Sequence, residues 1–213
     1  PERFLLMEKY ISIFGSTGSI GVNALKIAGL LSKDLKIKYL TANSNFQLLI
    51  EQTKEHKPKS ICIVDERNYK NLKMGIDSKE VEILVGRQGL LELSKRNDVS
   101  VMMNGLVGAA GMEPTLNALE AGVDVALANK ESLVMAGAII NKAMGVSGTK
   151  IFPVDSEHSA IWQCLVGENI NEVRRIILTG SGGPFRKRGL ETFDDITVRE
   201  ALNHPNWDMG KKI

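Results

Sequence analysis

The stretch YISIFGSTGSIGVNALKIAGLLS, residues 10–32, decides how this chain folds. Residues 10–14 are a short apolar run of β type. Three glycines at a spacing of three, Gly15, Gly18 and Gly21, follow at once. Apolar residues then recur at Ile20, Ala24, Ile27, Ala28 and Leu31, the spacing of one face of a helix. Strand, glycine turn and helix in immediate succession are the opening of a βαβ unit.

The pattern continues outward. LKIKYL (35–40), SICIV (60–64), VEILVG (81–86), VSVMMN (99–104), VDVALAN (123–129) and KIFPV (150–154) read as further strands, with helical patterns between most of them. One such helix, NFQLLIEQTKEHK (45–57), is stopped by Pro58. Alternation of this kind predicts an α/β protein with a doubly wound parallel sheet. After Val154 the pattern changes. EVRRIILTG (172–180) reads as one more strand, followed by the Gly-rich SGGPFRKRG (181–189) and by NHPNWDMGKK (203–212). A second domain therefore begins near residue 150 and looks unfinished.

Composition excludes several classes of function. The 213 residues are 43% hydrophobic and 24% charged, in the range of ordinary globular chains. A net charge of +2, without Lys/Arg runs interleaved with aromatics, does not suggest nucleic acid. No apolar window approaches the ~20 residues that span a bilayer. The first residues lack the apolar core of a secretory signal, and Met7 fits a native initiator preceded by residues 1–6. Cys62 and Cys164 form no CxxC motif; both read as small apolar residues in a reducing compartment.

Six polar clusters interrupt the apolar pattern. The glycine turn, with Ser16, Thr17 and Ser19 as hydroxyl donors, lets backbone approach a pyrophosphate at a helix start, though many such loops are only turns. At the end of the second strand, TANSN (41–45) carries no carboxylate to bind a ribose 2′-hydroxyl, which favours NADP over NAD. No Arg or Lys within it clamps the 2′-phosphate. Asn129-Lys130-Glu131 ends another strand and reads either as a helix cap with solvated neighbours or as a site element. Asp155-Ser156-Glu157-His158 reads as a helix start with a capping residue, as a pair of oxygen ligands for a hard divalent cation, or as both. Ser181 lies in a GSGG turn suited to phosphate. His204 and Trp207 lie in a Pro-bounded loop that suits a lid or a buried interface equally.

Together, GSTGSIG, ANKESLV, PVDSEHSAIWQ, LTGSGGPFR and HPNWDMGKKI, in this order and spacing, resemble the 1-deoxy-D-xylulose 5-phosphate reductoisomerase family from about Met7 to the last residue. The resemblance implies a Rossmann-like NADPH-binding domain over residues 7–150. Residues 151–213 would then be the N-terminal portion of an α+β catalytic domain with a flap loop. It implies NADPH and a divalent metal (magnesium, manganese or cobalt) as cofactors. Thr17, Gly18, Ser19 and Ile20 would bind NADPH through the loop. Asn43, Ser44 and Asn45 would lie by the 2′-phosphate, with Ser44 where the family often has a lysine. Asn129, Glu131 and Gly210 would contact cofactor. Asp155 and Glu157 would hold the metal. Lys130, Ser156, Glu157, Ser181 and His204 would bind substrate, Trp207 would sit on the closing flap, and Lys130, Glu157, His204 and Trp207 would form the catalytic set.

The implied reaction is rearrangement of the sugar phosphate by retro-aldol cleavage and re-addition, followed by hydride reduction to 2-C-methyl-D-erythritol 4-phosphate. The resemblance also implies a small-molecule sugar phosphate as partner, neither nucleic acid nor membrane, and a homodimer in the full-length enzyme. The compartment would be the bacterial cytoplasm or a plastid-type organelle. Family members continue past GKKI into a segment with a third metal carboxylate and a helical C-terminal domain, so the 213-residue chain alone is expected to turn over little or no substrate. Two other readings make different predictions. A generic NADP-dependent reductase would be insensitive to chelator, and a non-catalytic nucleotide-binding module would bind NADPH but no metal at Asp155 and Glu157.

Overall fold

The structure, a computed structural model, describes residues 9–31, 35–77, 79–180 and 182–205. Met7, Ser181, Trp207 and Gly210 lie outside these residues. The chain divides into two compact units, Pro1–Trp162 and Gln163–Ile213.

In the first unit the strands and helices alternate as β1 (Lys9–Phe14), α1 (Ser19–Leu30), β2 (Leu35–Ala42), α2 (Phe46–His56), β3 (Ser60–Ile63), α3 (Tyr69–Gly75), β4 (Glu82–Val85), α4 (Gly86–Ser94), β5 (Val101–Asn104), α5 (Met112–Glu120), β6 (Asp124–Leu127), α6 (Lys130–Ser147), β7 (Ile151–Pro153) and α7 (Ser156–Leu165). The seven strands form one sheet in the order β4-β3-β2-β1-β5-β6-β7, and every pairing is parallel. Strand order reverses at β1, which has β2 on one side and β5 on the other. In such sheets the crevice beyond the carboxyl ends of the strands at this reversal receives the ligand.

Successive strand residues face opposite sides of the sheet. Ile13 joins Leu25, Ala28, Leu49 and Leu72, from α1, α2 and α3, in one core. Phe14, the next residue, joins Leu90, Leu93, Leu119 and Ile140, from α4, α5 and α6, in the other. The sheet is therefore covered on both faces, as the near-continuous apolar strands require. Full burial of each such side chain stabilises by about 1.5–3 kcal/mol. β3 is buried at all four positions, and its one polar member, Ser60, donates its hydroxyl to Glu82 at 2.6 Å. Helix ends follow local chemistry. Asn45 caps α2 by accepting from the Leu48 amide, and Lys57, before Pro58, ends it in a left-handed conformation at φ 47°.

Three expectations are corrected. The buried stripe of α1 is Gly21, Leu25 and Ala28, whereas Ile27 and Leu31 face outward. The helix is rotated so that Gly21 meets the glycine turn, and a glycine does not register in an apolar count. Residues 173–180 form no strand; Ile176, Ile177 and Leu178 are exposed and pair with no neighbouring strand among the described residues. β preference acts through pairing partners, which a single apolar run does not supply. Cys62 is buried as expected, and burial pushes its thiol up to about 12, but Cys164 is exposed on α7.

The second unit contains single 3-10 turns at Ile170–Glu172 and Leu190–Asp195 and a short helix, α8 (Val198–Leu202). Thr197 and Glu200 form a reciprocal capping box on α8, and Arg188 ties Glu200 at 3.0 Å to Thr192. No described helix is long and apolar enough to cross a membrane.

Candidate active site

The glycine turn is held from below. The Gly15 amide donates to the carbonyl and the hydroxyl of Thr41 at 3.1 and 3.0 Å, and the Ser16 amide donates to the same carbonyl at 2.8 Å. Gly15 has φ +82°, a conformation open to glycine. A Cβ on Gly21 would fall 2.5 Å from the Ser16 Cα, so α1 approaches the turn more closely than any other residue allows. Ser16 is not a ligand donor. It is buried, its hydroxyl donates to Gln52 at 2.7 Å, and Gln52 returns a bond to the Ser16 carbonyl.

Thr17 is half-buried, and Gly18, Ser19 and Ile20 are exposed at the start of α1. Gly18, the N-cap, offers no side-chain hydrogen bond, so no side chain caps the first-turn amides. An uncapped helix start behind a glycine cradle fits a dinucleotide pyrophosphate, because orphan amides and the helix dipole both favour an anion.

At the end of β2, Asn43, Ser44 and Asn45 are exposed, with the Asn45 side chain already engaged in capping α2. At the ends of β5 and β6 two buried asparagines organise the loops. Asn104 donates to Gly111 O and Thr115 Oγ1, both at 2.8 Å, and accepts from the Leu106 amide. Asn129 donates to the carbonyls of Leu106 and Gly108 at 2.7 and 2.9 Å and accepts from the amide and hydroxyl of Ser132. Both Asn129 amide hydrogens are therefore engaged, and its side chain is 1% exposed. A Cβ on Gly111 would lie 2.6 Å from its Cγ, which shows how closely this side chain is packed. In the sequence Asn104 is only a polar residue at a strand end, and nothing there marks Thr41 as anchor of the turn.

The cluster around Asp155 joins the ends of β6 and β7, which are adjacent. Asp155, just beyond β7, takes Lys130 Nζ on Oδ2 at 2.7 Å and His158 Nδ1 on Oδ1 at 2.8 Å. Burial alone would raise the Asp155 pKa, but the hydrogen bonds from Lys130 and His158 prevail and hold the carboxyl at about 2. An ionised carboxylate only accepts, so His158 Nδ1 carries the proton in this contact. The Lys130 ammonium is raised, first by the Asp155 hydrogen bond and then, against burial, by the charges of Asp155, Glu157 and Glu131. The Asp155 carbonyl accepts from the Ser159 amide, which starts α7, and Phe152 meets Trp162 edge-on at 6.0 Å, fixing α7 to its strand. Ser156 and Glu157 are exposed in the first turn of α7.

Two carboxylates within three residues, one held ionised, fit a hard divalent cation whose other ligands are substrate and water oxygens. Among the described residues no third His, Cys, Asp or Glu completes a cluster. In the second unit His204 is half-buried just after α8. The structure thus brings together Lys130, Asp155 and His158 at one strand-end crest, beside Ser156 and Glu157.

A family model for 1-deoxy-D-xylulose 5-phosphate reductoisomerase matches residues 11–137, and the model for the C-terminal domain of that enzyme matches residues 151–213. The chain is 49% identical over 205 residues to the 1-deoxy-D-xylulose 5-phosphate reductoisomerase of Chloroherpeton thalassium, covering 96% of this chain and 53% of that relative. Its fold is similar to that of the Zymomonas mobilis enzyme solved with NADPH, at TM-score 0.88 and 38% identity over 93% of this chain and 52% of the other. It is also similar to a reductoisomerase solved with NADPH, fosmidomycin and magnesium, at TM-score 0.84 and 36% identity over 95% of this chain and 52% of the other. The chain spans about half the length of the relatives it matches.

Proposed function

The chain belongs to the 1-deoxy-D-xylulose 5-phosphate reductoisomerase family, and from that premise we propose that it provides the NADPH- and metal-binding part of an enzyme converting 1-deoxy-D-xylulose 5-phosphate to 2-C-methyl-D-erythritol 4-phosphate. The observation that carries this reading is the ionised Asp155 carboxylate, held by Lys130 and His158 at the same crest of one sheet as the uncapped glycine-rich start of α1. A generic reductase needs the second feature and not the first.

In this reading Asp155 and Glu157 hold the divalent cation. Thr17, Gly18, Ser19 and Ile20 receive the pyrophosphate of NADPH. When bound, the cation would supply Lewis acidity toward the hydroxy-ketone oxygens and NADPH would supply the hydride. Lys130 offers an ammonium that can turn from Asp155 toward substrate oxygens. The Lys130 side chain is half-exposed, and Asp155 keeps its bond from His158 when the ammonium leaves. His158 keeps Asp155 oriented while Lys130 moves. Ser156, in the first turn of α7, adds a hydroxyl donor. The Asn129 side chain is engaged within the protein, so a cofactor contact there runs through its backbone and that of Glu131. Ser181 and His204 would take the sugar phosphate, Trp207 would help to exclude water, and Gly210 would serve the cofactor. Manganese or magnesium both suit the oxygen ligands. The homodimer and the bacterial cytoplasm complete the proposal.

Titration of NADPH and of Mn²⁺ into the chain, with Asp155→Asn as control, tests the reading. The expected result is NADPH binding in both proteins, with Mn²⁺ binding lost in the variant. Absence of NADPH binding, or Mn²⁺ binding indifferent to Asp155, would overturn it.

A further inference from the structure

The turn at residues 43–45, which would receive the adenosine end of NADPH, contains no cation to meet a dianionic 2′-phosphate. The neighbouring strand end supplies one. Hydrogen bonding between β2 and β3 continues past the strands: the Val64 amide donates to the Ala42 carbonyl at 3.0 Å, and the Asp65 amide donates to the Asn43 carbonyl at 2.8 Å. Asp65 is thereby set beside Asn43. Its carboxylate caps the next turn by accepting from the Arg67 amide, and it takes the Arg67 guanidinium at two points. Nε donates to Oδ1 and Nη2 to Oδ2, each at 2.8 Å.

A guanidinium has five donors in a rigid plane, and Asp65 uses two of them. The Nη1 pair and the second Nη2 hydrogen point away from the carboxylate, and the Arg67 side chain is 89% exposed. The group is thus pre-oriented by one anion with an edge left for another, the fork geometry that suits phosphate. Other cations at the strand ends serve other partners. Arg87, after β4, binds the Ala110 carbonyl and Glu113, and Lys130, after β6, binds Asp155.

We propose that Arg67 supplies the charge that holds the 2′-phosphate of NADPH, with Asp65 as its positioning residue, so that NADP selectivity here is carried by the end of β3 in place of the cation missing from β2. This inference rests on the NADPH-binding reading above. The competing account is a local, exposed ion pair within one turn, which predicts no effect on coenzyme.

Fluorescence titrations of NADPH and NADH against the unaltered chain, Arg67→Met and Arg67→Lys separate these accounts. The Met variant is expected to weaken NADPH about tenfold to hundredfold, the range of one or two charge-assisted hydrogen bonds. NADH should change less than about twofold, since it lacks the group that the arginine meets. The Lys variant should recover part of the loss, because a point charge replaces the fork. Competition by adenosine 2′-phosphate should weaken in parallel. If the unaltered chain prefers NADPH and Arg67→Met keeps that preference, this inference is overturned and the family reading stands. If the unaltered chain binds neither coenzyme, the reading fails and takes the inference with it. Equal binding of both coenzymes by the unaltered chain also overturns the inference. Circular dichroism of the variants guards against loss of fold.

Discussion

Lys130 Nζ stands 2.7 Å from Asp155 Oδ2, so an ammonium at the end of β6 occupies the oxygen that a divalent cation at the end of β7 would claim. In the proposed metal site the two cations would compete for this oxygen. Lys130→Met should therefore tighten Mn²⁺ binding severalfold, whereas Asp155→Asn should abolish it. Electron paramagnetic titration of free Mn²⁺ reads both. Weaker Mn²⁺ binding in Lys130→Met would show that the lysine supports the metal site instead of competing with it.

Gly21 and Gly29 lie on the same helix with opposite surroundings. A Cβ at Gly21 strikes the backbone of Ser16, while nothing lies within 4 Å of one at Gly29. Gly21→Ala should cost about 1–3 kcal/mol through overpacking and displace the glycine turn proposed to receive NADPH. Gly29→Ala should stabilise by about 0.5 kcal/mol. Urea unfolding of both variants provides the comparison, and equal midpoints would refute the close approach of α1 to the turn.

Asn129→Ala removes the cap of α6 and leaves the Leu106 and Gly108 carbonyls without their donor. The combined loss should be about 2–4 kcal/mol. Asn129→Asp keeps the cap acceptor but turns a buried carboxylate toward two carbonyl oxygens, so it should not rescue. Amide exchange over residues 105–108 should quicken in both variants. Unchanged protection there would mean that the loop is held by something else.

Tyr39, on β2, is buried, with its hydroxyl donating to Asp98 at 2.5 Å. Burial first, then the Asp98 hydrogen bond, push it up to about 12 from an ordinary 10. A raised folded-state value contributes stability that is whole below the unfolded pKa and is lost as pH climbs through the folded one. The advantage over Tyr39→Phe should be about 1.5–3 kcal/mol near neutrality, as for a bond to a charged acceptor, and should shrink between pH 10 and 12. Denaturation at stepped pH tests this; parallel curves for the two proteins would contradict it.

The strands of the first unit could be located in the sequence because burial on both faces demands continuous apolar runs, and SICIV and VMMN are such runs. The phase of α1 could not. Ile27 looked like core and Gly21 like part of the ligand turn, yet the contact that orients the helix is Gly21 against the backbone of Ser16. The run at residues 172–180 failed for a different reason, since its apolar pattern says nothing about whether a partner strand lies alongside. In the site, the residues were legible by type but not always by task. Ser16 reads as a donor to ligand and turns out to serve Gln52; Asn129 reads as a helix cap or a site element, and its side chain does cap α6 while also serving two loop carbonyls.

What the sequence determined by itself was the local grammar: alternating strands and helices, a glycine turn at the first crossover, and carboxylates at the end of the seventh strand. These depend on periodicity and on conformational freedom, which are properties of neighbours in the chain. Only the tertiary structure decided that Lys130 meets Asp155, that Asp65 sits beside Asn43 with Arg67 upon it, and that Tyr39 is locked to Asp98. Lys130 with Asp155, Asp65 with Asn43 and Tyr39 with Asp98 are residues distant in sequence that the parallel sheet brings together, and the geometry of a hydrogen bond is settled only when that register exists.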